Sequence, residues 1–246
     1  MDMQNRTAIV TGAAGGIGWE AAKAFAAAGA TVYAADIAPG IPETEQALGF
    51  PGRIHALALD VRDEAAVSAV IDRIVDETGR LDYAFNNAGI LLPTLEDEWD
   101  VASFQRCFDI NVTGVLKCLK HELRVMTARG GGAIVNTSSI AGLVGLPGSV
   151  AYAGSKHAVI GMTKAAALQH APAGIRVNAV CPGPTDTPMT AVSRERRGSG
   201  KPLGSVPLGR TADAAEIAAA AVWLCSDAAS YVTGHALVVD GGFTTG

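Results

Sequence analysis

Seven short apolar segments recur along the chain, separated by longer alanine-rich stretches with helical spacing. Several segments are continuously apolar, as in strands buried on both faces, and glycine, asparagine and aspartate bracket them. Strands that alternate with helices in this way predict repeated βαβ units, hence an α/β fold whose seven-stranded parallel sheet is covered on both faces. The segments are residues 8–11, 31–35, 54–59, 83–85, 133–136, 176–180 and 236–239.

The length and composition favour a single folded domain. With 246 residues, 49% hydrophobic and 17% charged, the chain is long enough to bury one sizeable core, and we predict a single domain over residues 1–246. No apolar stretch approaches the roughly 20 residues needed to cross a bilayer, and the first residues lack a basic and then apolar leader. We therefore expect a cytoplasmic protein that has no membrane partner.

Charge and cysteine content disfavour a nucleic-acid-binding, a metal-binding or a disulfide-rich protein. A net charge of −5 disfavours a nucleic-acid partner, whose binding surface is usually basic. Cys107, Cys118, Cys181 and Cys225 are scattered and have no C-x-x-C spacing, so neither a metal site nor a disulfide framework is predicted. We expect these cysteines to be small buried hydrophobes.

A proline-rich segment late in the chain predicts a long loop. It runs over residues 182–210, with prolines at 182, 184, 188 and 202 and a charge cluster at 194–197. The cluster is interpreted as solvated rather than as a binding patch. Long loops in compact domains often serve as active-site lids, and this loop is a candidate.

A glycine-rich turn, Thr-Gly-Ala-Ala-Gly-Gly-Ile-Gly over residues 11–18, follows the first predicted strand and opens a helix that continues to about residue 28. Glycines let the backbone approach a pyrophosphate, whose charge the helix N-terminus stabilises. The placement between strand and helix favours a dinucleotide site over a merely structural turn. The predicted binding residues in this turn are Gly12, Gly15, Gly16, Ile17 and Gly18.

An acidic residue, Asp36, ends the second predicted strand eighteen residues after Gly18. This is close to the roughly 20-residue offset at which an acid binds the adenosine ribose hydroxyls. A carboxylate there repels a 2′-phosphate, and neither Ile37 nor the glycine turn supplies an arginine or lysine for it. NAD is therefore predicted in preference to NADP; the alternative is that Asp36 only ends a strand.

Three polar side chains predict a proton-transfer site. Tyr152 and Lys156 are four residues apart and share one helix face, and Ser139 lies after the strand at 133–136, at the ligand-facing edge of the sheet. An alcohol gives up hydride only as its proton leaves, so we predict Tyr152 as the base in oxidation and the acid in reduction. We expect Lys156 and an oxidised nicotinamide to lower the phenol pKa, and Ser139 to bind the substrate oxygen.

The chain resembles the short-chain dehydrogenase/reductase family in its compact, single-domain form, over essentially its whole length. The resemblance implies a Rossmann-type three-layer αβα sandwich and an NAD-dependent oxidoreductase that interconverts a secondary alcohol and a ketone. It also implies a homotetramer. The ordered motifs that carry it are Thr-Gly-x-x-x-Gly-x-Gly at 11–18, Asp60-Val61, Asn86-Asn87-Ala88-Gly89, Asn111, Ser139, Tyr152, Lys156 and Pro182-Gly183.

The same resemblance implies further roles. Asp60 and Val61 should border the adenine, Asn111 should hold a water in a proton relay, and Lys156 should bind the nicotinamide ribose. Asn86, Ala88 and Gly89 should support the sheet and the adenosine ribose, with binding and scaffold roles both open for Asn86. The predicted cofactor contacts are completed by Asn87, Pro182, Gly183, Thr185 and Thr187.

Position 185 departs from the family pattern. The family usually places isoleucine or valine where this chain has Thr185. Backbone contact to the nicotinamide carboxamide should survive, and Thr187 keeps the hydroxyl that should contact it. We interpret the departure as tuning of the site.

Apolar segments predict the substrate class. Residues 90–93, residues 140–147 and Met189 are almost entirely apolar, and no arginine is evident there to grip a charged substrate. An apolar secondary alcohol or ketone is predicted, with cyclic ones among the candidates, and the chain is similar to the alicyclic alcohol and diol dehydrogenases of the family.

Two alternatives stay open. A 3-oxoacyl-[acyl-carrier-protein] reductase would need a basic docking patch, for which Lys117, Lys120, Arg124 and Arg129 are candidates. A non-catalytic NAD sensor would need no proton-transfer residues, because a fold alone never establishes catalysis. Helical stretches at 104–126 and 151–170 are apolar on more than one face, and a second subunit could cover the outer face.

Overall fold

In the computed structural model, residues 1–37, 53–92, 99–191 and 206–245 are described. Seven parallel strands form one sheet, at the places that the apolar pattern predicts. They are β1 (Thr7–Thr11), β2 (Thr31–Asp36), β3 (Ile54–Ala58), β4 (Tyr83–Asn86), β5 (Gly132–Thr137), β6 (Ile175–Pro182) and β9 (Ala236–Val239). Their order in the sheet is β3-β2-β1-β4-β5-β6-β9. A separate pair joins β7 (Thr185–Asp186) to β8 (Ala212–Asp213).

Six α-helices connect these strands in the described ranges. A π-helical turn, Asp109–Gly114, joins the third helix to the fourth, and 3-10 turns lie at Ile140–Gly142, Ala171–Ala173 and Asp227–Ala229. The helices are α1 (Gly16–Ala27), α2 (Glu64–Thr78), α3 (Val101–Phe108), α4 (Val115–Arg129), α5 (Val150–His170) and α6 (Ala214–Cys225).

Two apolar clusters lie on opposite faces of the sheet. One contains Phe25 of α1 and Ile217 of α6; the other contains Ile71 of α2, Leu119 of α4 and Val159 of α5. The strands between them are buried on both faces, which is why their sequences are continuously apolar. The predicted three-layer αβα sandwich of Rossmann type is confirmed.

Buried polar side chains cross this apolar core in a row. The Asn86 amide donates to Asn136 Oδ1 at 3.0 Å and to Glu122 Oε2 at 2.9 Å, and Asn136 donates to Thr163 Oγ1 at 2.9 Å. The row links α4, β4, β5 and α5. Asn86 is therefore a scaffold residue here, and burial raises the pKa of Glu122 to about 7.

An arginine cluster lies at the amino-terminal edge of the sheet. Arg6, Arg80 and Arg129 all donate to the Asp82 carboxylate, which also accepts from the Thr7 backbone N–H. Burial raises the pKa of this carboxyl, but the hydrogen bonds outweigh it and bring the pKa down to about 2. The cluster ties β1 to β4 at the edge opposite the site described below.

Other predictions have mixed outcomes. All four cysteines are buried, as predicted, and all four are free thiols in the structure. Pro93, Pro202 and the charge cluster at 194–197 lie outside the described residues. Within the described ranges, no helix combines the length and the apolar character that spanning a membrane requires. Trp99, just before α3, and Val101, at its start, are 81% and 77% exposed, and Phe104 in the same helix is 38% exposed.

Candidate active site

The glycine turn between β1 and α1 is shaped to receive a bulky anionic group. Gly12 has a φ of +66°, and a Cβ there would lie 2.8 Å from the Ala88 Cα. A Cβ on Gly18 would overlap the Gly12 carbonyl oxygen, so this glycine allows close packing of helix on strand. Gly15 caps α1 without a side-chain acceptor, which leaves the helix N-terminus to stabilise a pyrophosphate. These residues fit a dinucleotide.

A cavity of about 370 Å³ opens at the carboxyl-terminal edge of the sheet, where the strand order reverses between β1 and β4. Ligands of open α/β sheets bind at this position. The cavity brings together most of the predicted site residues. They are Gly12, Gly15, Gly16, Ile17, Asp36, Asn87, Gly89, Ser139, Tyr152, Lys156, Pro182, Gly183, Thr185 and Thr187.

A second cavity of about 280 Å³ adjoins the first and shares Gly12, Asp36 and Gly89 with it. Asp60 and Val61, which are predicted to border the adenine, line this second cavity together with Ala88. The residues predicted for the adenosine half and those predicted for the nicotinamide half therefore line adjoining cavities.

Two carboxylates on the adenosine side are held by hydrogen bonds. Asp36 Oδ2 accepts from the Ala14 backbone N–H at 2.9 Å, which ties the end of β2 to the glycine turn. The Arg62 guanidinium grips Asp60 at 2.7 and 3.0 Å. Because hydrogen bonds from Arg62 outweigh the effect of burial, the pKa of Asp60 lies below its ordinary value.

Ser139, Tyr152 and Lys156 converge in the first cavity. Lys156 Nζ lies 5.6 Å from the centre of the Tyr152 ring and donates to the Thr137 carbonyl oxygen at 2.8 Å. Ser139 makes a side-chain hydrogen bond with Tyr152, and its Oγ accepts from the Ala141 backbone N–H at 3.1 Å. A carbonyl or hydroxyl group entering the cavity meets a serine hydroxyl and a phenol side by side.

Burial has the largest effect on the pKa values of Tyr152 and Lys156. It raises the pKa of Tyr152 to about 12, against the lowering effect of the hydrogen bond with Ser139. It lowers the pKa of Lys156 to about 8. Desolvation of the phenolate is the largest effect that the protein's own groups have on the Tyr152 pKa; the expectation that Lys156 and an oxidised nicotinamide together lower this pKa stays a prediction.

Asn111 lies in the π-helical turn, is fully buried and is not among the residues that line either cavity. Its Oδ1 accepts from the Ile90 N–H at 2.8 Å, and its Nδ2 donates to the Ile90 carbonyl at 2.9 Å and to Ser155 Oγ at 3.1 Å. Both amide hydrogens have protein acceptors. The side chain therefore holds Ile90 in place, and the expectation that Asn111 also holds a relay water stays a prediction.

Three polar residues of the site escaped the sequence analysis. Thr137 supplies the carbonyl that holds Lys156. Thr190 lines the cavity, accepts from the Thr187 N–H at 3.2 Å and lies 3.2 Å from its hydroxyl. Ser155 bonds to Asn111 and to the Tyr152 carbonyl. Only Thr190 had a local signal, because a threonine three residues after Thr187 is placed to form a side-chain turn.

Part of the predicted apolar wall lines the cavity in the described part of the chain. Ile90 and Met189 line the cavity, but residues 140–147 do not. Ile140–Gly142 form a buried 3-10 turn, and Leu143 and Val144 are exposed. Ser139 caps this turn with its own hydroxyl, so the chain leaves the cavity directly after Ser139.

The parallel sheet, the cleft at its switch point and the Ser139, Tyr152 and Lys156 cluster are those of a dinucleotide-binding oxidoreductase. A family model described as enoyl-(acyl carrier protein) reductase matches residues 12–244. The chain belongs to the short-chain dehydrogenase/reductase family.

Curated relatives match over nearly their whole length. The chain is 46% identical over 242 residues to cis-4-hydroxycyclohexanecarboxylate dehydrogenase of Sinomonas cyclohexanicum, covering 97% of this chain and 96% of the relative. It is 42% identical over 247 residues to 2,5-dichloro-2,5-cyclohexadiene-1,4-diol dehydrogenase of Sphingobium indicum, covering 99% and 98%. The solved structure of ElxO with NADP bound matches with a TM-score of 0.92 at 33% identity, covering 98% and 99%.

Proposed function

We propose that this protein is an NAD-dependent dehydrogenase that interconverts a secondary alcohol on a non-aromatic carbon ring and the corresponding ketone, with Tyr152 as general acid and base. One observation carries the proposal: Ser139, Tyr152 and Lys156 line one cavity together with the glycine turn and Asp36. Relatives named for six-membered ring substrates support the ring as the substrate class.

Ser139, Tyr152 and Lys156 have different roles in proton transfer. The chemistry that a bound oxidised nicotinamide would supply is acceptance of the hydride from the carbinol carbon. The Ser139 hydroxyl donates to the substrate oxygen and aligns it with the phenol. The Tyr152 phenolate accepts the hydroxyl proton in oxidation, and the protonated phenol returns it in reduction. Lys156, held by Thr137, favours the phenolate when it is charged.

NAD is proposed as the cofactor in preference to NADP. Asp36 ends β2 and lines both cavities, where its charge would oppose a 2′-phosphate. Arg62 and Arg106 both line the second cavity, and the guanidinium of Arg62 is engaged by Asp60. ElxO is solved with NADP, so the cofactor must be measured for this chain.

An uncharged ring substrate is favoured over a carboxylate. Among the described residues of the first cavity, Lys156 is the one cation, and its Nζ already donates to Thr137. Binding a substrate carboxylate requires a charge partner or dedicated hydrogen bonds. We therefore rank cyclic diols and simple cyclic alcohols above ring carboxylates.

The acyl-carrier-protein alternative has less support. Each cation of the candidate docking patch is already bonded to an acceptor of this chain. The carboxylates paired with Lys120 and Arg124 reduce the positive potential that an acidic carrier protein would need. The contacts are Lys117 Nζ to Arg62 O at 2.6 Å, Lys120 to Glu64 at 2.5 Å, Arg124 to Asp72 at 2.5 Å and Arg129 to Asp82 at 2.6 Å.

A substrate panel tests the proposal. Purified protein is offered cyclic diols, cyclic alcohols, cis-4-hydroxycyclohexanecarboxylate and linear secondary alcohols, each with NAD and with NADP, and formation of reduced cofactor is recorded. We expect turnover of uncharged ring alcohols with NAD. Binding of NADH without turnover of any alcohol would instead support the sensor alternative. The cytoplasmic location and the homotetramer stay predictions.

A further inference from the structure

Ser155 lies immediately before Lys156 in α5 and is completely buried. Its Oγ donates to the Tyr152 carbonyl oxygen at 2.7 Å. Because the hydroxyl has one hydrogen, its other contacts are accepted bonds, from Asn111 Nδ2 at 3.1 Å and from Cys107 Sγ at 3.6 Å. This single hydroxyl therefore joins the π-helical turn to the turn of α5 that carries Tyr152.

Asn111 is itself fixed on its other side. Its amide makes a reciprocal pair of hydrogen bonds with the backbone of Ile90, which lines both cavities. A second hydroxyl holds the same turn of α5 from the sheet: Ser138 Oγ donates to the Lys156 carbonyl at 2.9 Å. The backbone of Tyr152 and that of Lys156 thus each receive a buried side-chain hydrogen bond.

We infer that Ser155 is a positioning residue for proton transfer, which transmits the fixed placement of Asn111 to the helical turn that carries Tyr152 and Lys156. The inference rests on the proposed function. Ser155 touches neither cavity, so it acts only through the placement of the phenol. A shift of the phenol by a fraction of an ångström would weaken the Ser139 hydrogen bond and misalign the proton donor.

The same helix offers a matched control. Thr163, two turns further along α5, is equally buried; its hydroxyl donates to the Val159 carbonyl at 2.8 Å and accepts from Asn136 at 2.9 Å. Ser155→Ala removes a buried hydroxyl that donates one bond and accepts from Asn111 and Cys107, and Thr163→Val removes one that donates one bond and accepts one. Only the former change lies next to the phenol.

Kinetics and a phenol titration test the inference. In Ser155→Ala we expect kcat to fall about tenfold while KM for NAD changes less than about twofold. The ultraviolet titration of the Tyr152 phenol, obtained by subtracting that of Tyr152→Phe in the same background, should move to higher pH, because the Ser139 bond that lowers its pKa is weakened. Thr163→Val should lower thermal stability and move neither readout.

Ser155→Cys keeps a weak donor at the same place, and its kcat and phenol titration should lie between those of wild type and Ser155→Ala. If Ser155→Ala does not fold, the same two measurements on Ser155→Cys test the inference. Wild-type kcat and phenol titration in Ser155→Ala, or equal losses in Thr163→Val, would overturn the inference. If wild type oxidises no alcohol in the panel, the proposed function fails. The phenol titration then still decides the role of Ser155.

Discussion

The ammonium nitrogen of Lys156 faces the Tyr152 ring at 5.6 Å from its centre and is anchored at the same time to the Thr137 carbonyl at the end of β5. The position of the cation is thus set by the sheet and not by the phenol. Since burial opposes both the phenolate and the ammonium, charge supplied by a bound ligand has a large influence on how the pair titrates.

Replacing Tyr152 by phenylalanine removes the proposed acid and base but keeps the ring that packs against Lys156. We expect kcat to fall by about 10² to 10⁴, the usual contribution of a positioned general acid or base. The affinity for NADH, measured by fluorescence titration, should stay near that of wild type. Wild-type turnover in this variant would exclude Tyr152 from the chemistry.

The rate of alcohol oxidation should depend on pH with a definite sign. Oxidation needs the phenolate, and burial raises the pKa of Tyr152 to about 12, so kcat/KM should increase as pH rises through the neutral range. Ketone reduction needs the protonated phenol and should not increase over that range. Initial rates in both directions across the pH range check this, and an oxidation rate that decreases with pH would contradict it.

Removing the charge of Asp36 should shift the cofactor preference. In Asp36→Asn the acceptor for the Ala14 N–H is kept, while repulsion of a 2′-phosphate is lost. We expect the ratio of kcat/KM for NAD to that for NADP to fall about tenfold or more, the effect of roughly 1.4 kcal/mol of charge repulsion. Asp36→Ala should act in the same direction, and a wild-type preference for NADP would refute this reading of the carboxylate.

Glu122 should make the protein less stable at alkaline pH. Burial raises its pKa from 4.5 to about 7, so the folded state binds a proton that the unfolded state releases near pH 4.5. The stabilising contribution is complete below about pH 4.5 and is lost as pH rises through about 7. Glu122→Gln removes this loss, and the variant should be more stable than wild type above pH 7.

Denaturant unfolding at several pH values measures that difference. Glu20→Gln is the control, because Glu20 is partly exposed and pairs with Lys23 on the surface of α1. The control should keep the wild-type pH dependence. If Glu122→Gln shows the same decline in stability between pH 5 and 8 as wild type, the carboxyl is not the titrating group.

The predicted homotetramer is checked by light scattering on the purified chain. Trp99 and Val101 are largely exposed, and Phe104 stacks on Phe108 with ring centres 4.3 Å apart. Burying such a surface against another subunit is favourable. We expect a mass of about four chains at micromolar concentration, and a monomer at that concentration would refute the assembly.

The sheet and most of the site could be predicted from the sequence because short patterns of neighbouring residues indicate both. Continuous apolar runs give the strands, and the turn at 11–18 with Asp36, Tyr152 and Lys156 gives the cleft. The π-helical turn at Asp109–Gly114 could not be predicted, since its hydrogen bonding follows from the contacts of Asn111 with Ile90 and Ser155. These contacts come from distant parts of the chain.

Two features of the site depend on the folded structure. The apolar character of residues 140–147 predicts a substrate wall, but an apolar segment satisfies burial equally well inside a 3-10 turn, where Ile140–Gly142 lie. The pKa of the Tyr152 phenol depends on how far the ring is removed from water, which sequence spacing does not reveal.

Asn86 and Asn136 lie directly opposite each other in β4 and β5, and their side-chain amides are hydrogen-bonded to each other within an otherwise apolar core. If β4 and β5 slid by a single position, both amides would lose their partners and face hydrocarbon, which costs free energy. The pair therefore selects one alignment of the two strands. This alignment also sets the distance between Gly89, which follows β4, and Ser139, which follows β5. A shift by one residue would move one of them relative to the other by roughly 3.3 Å.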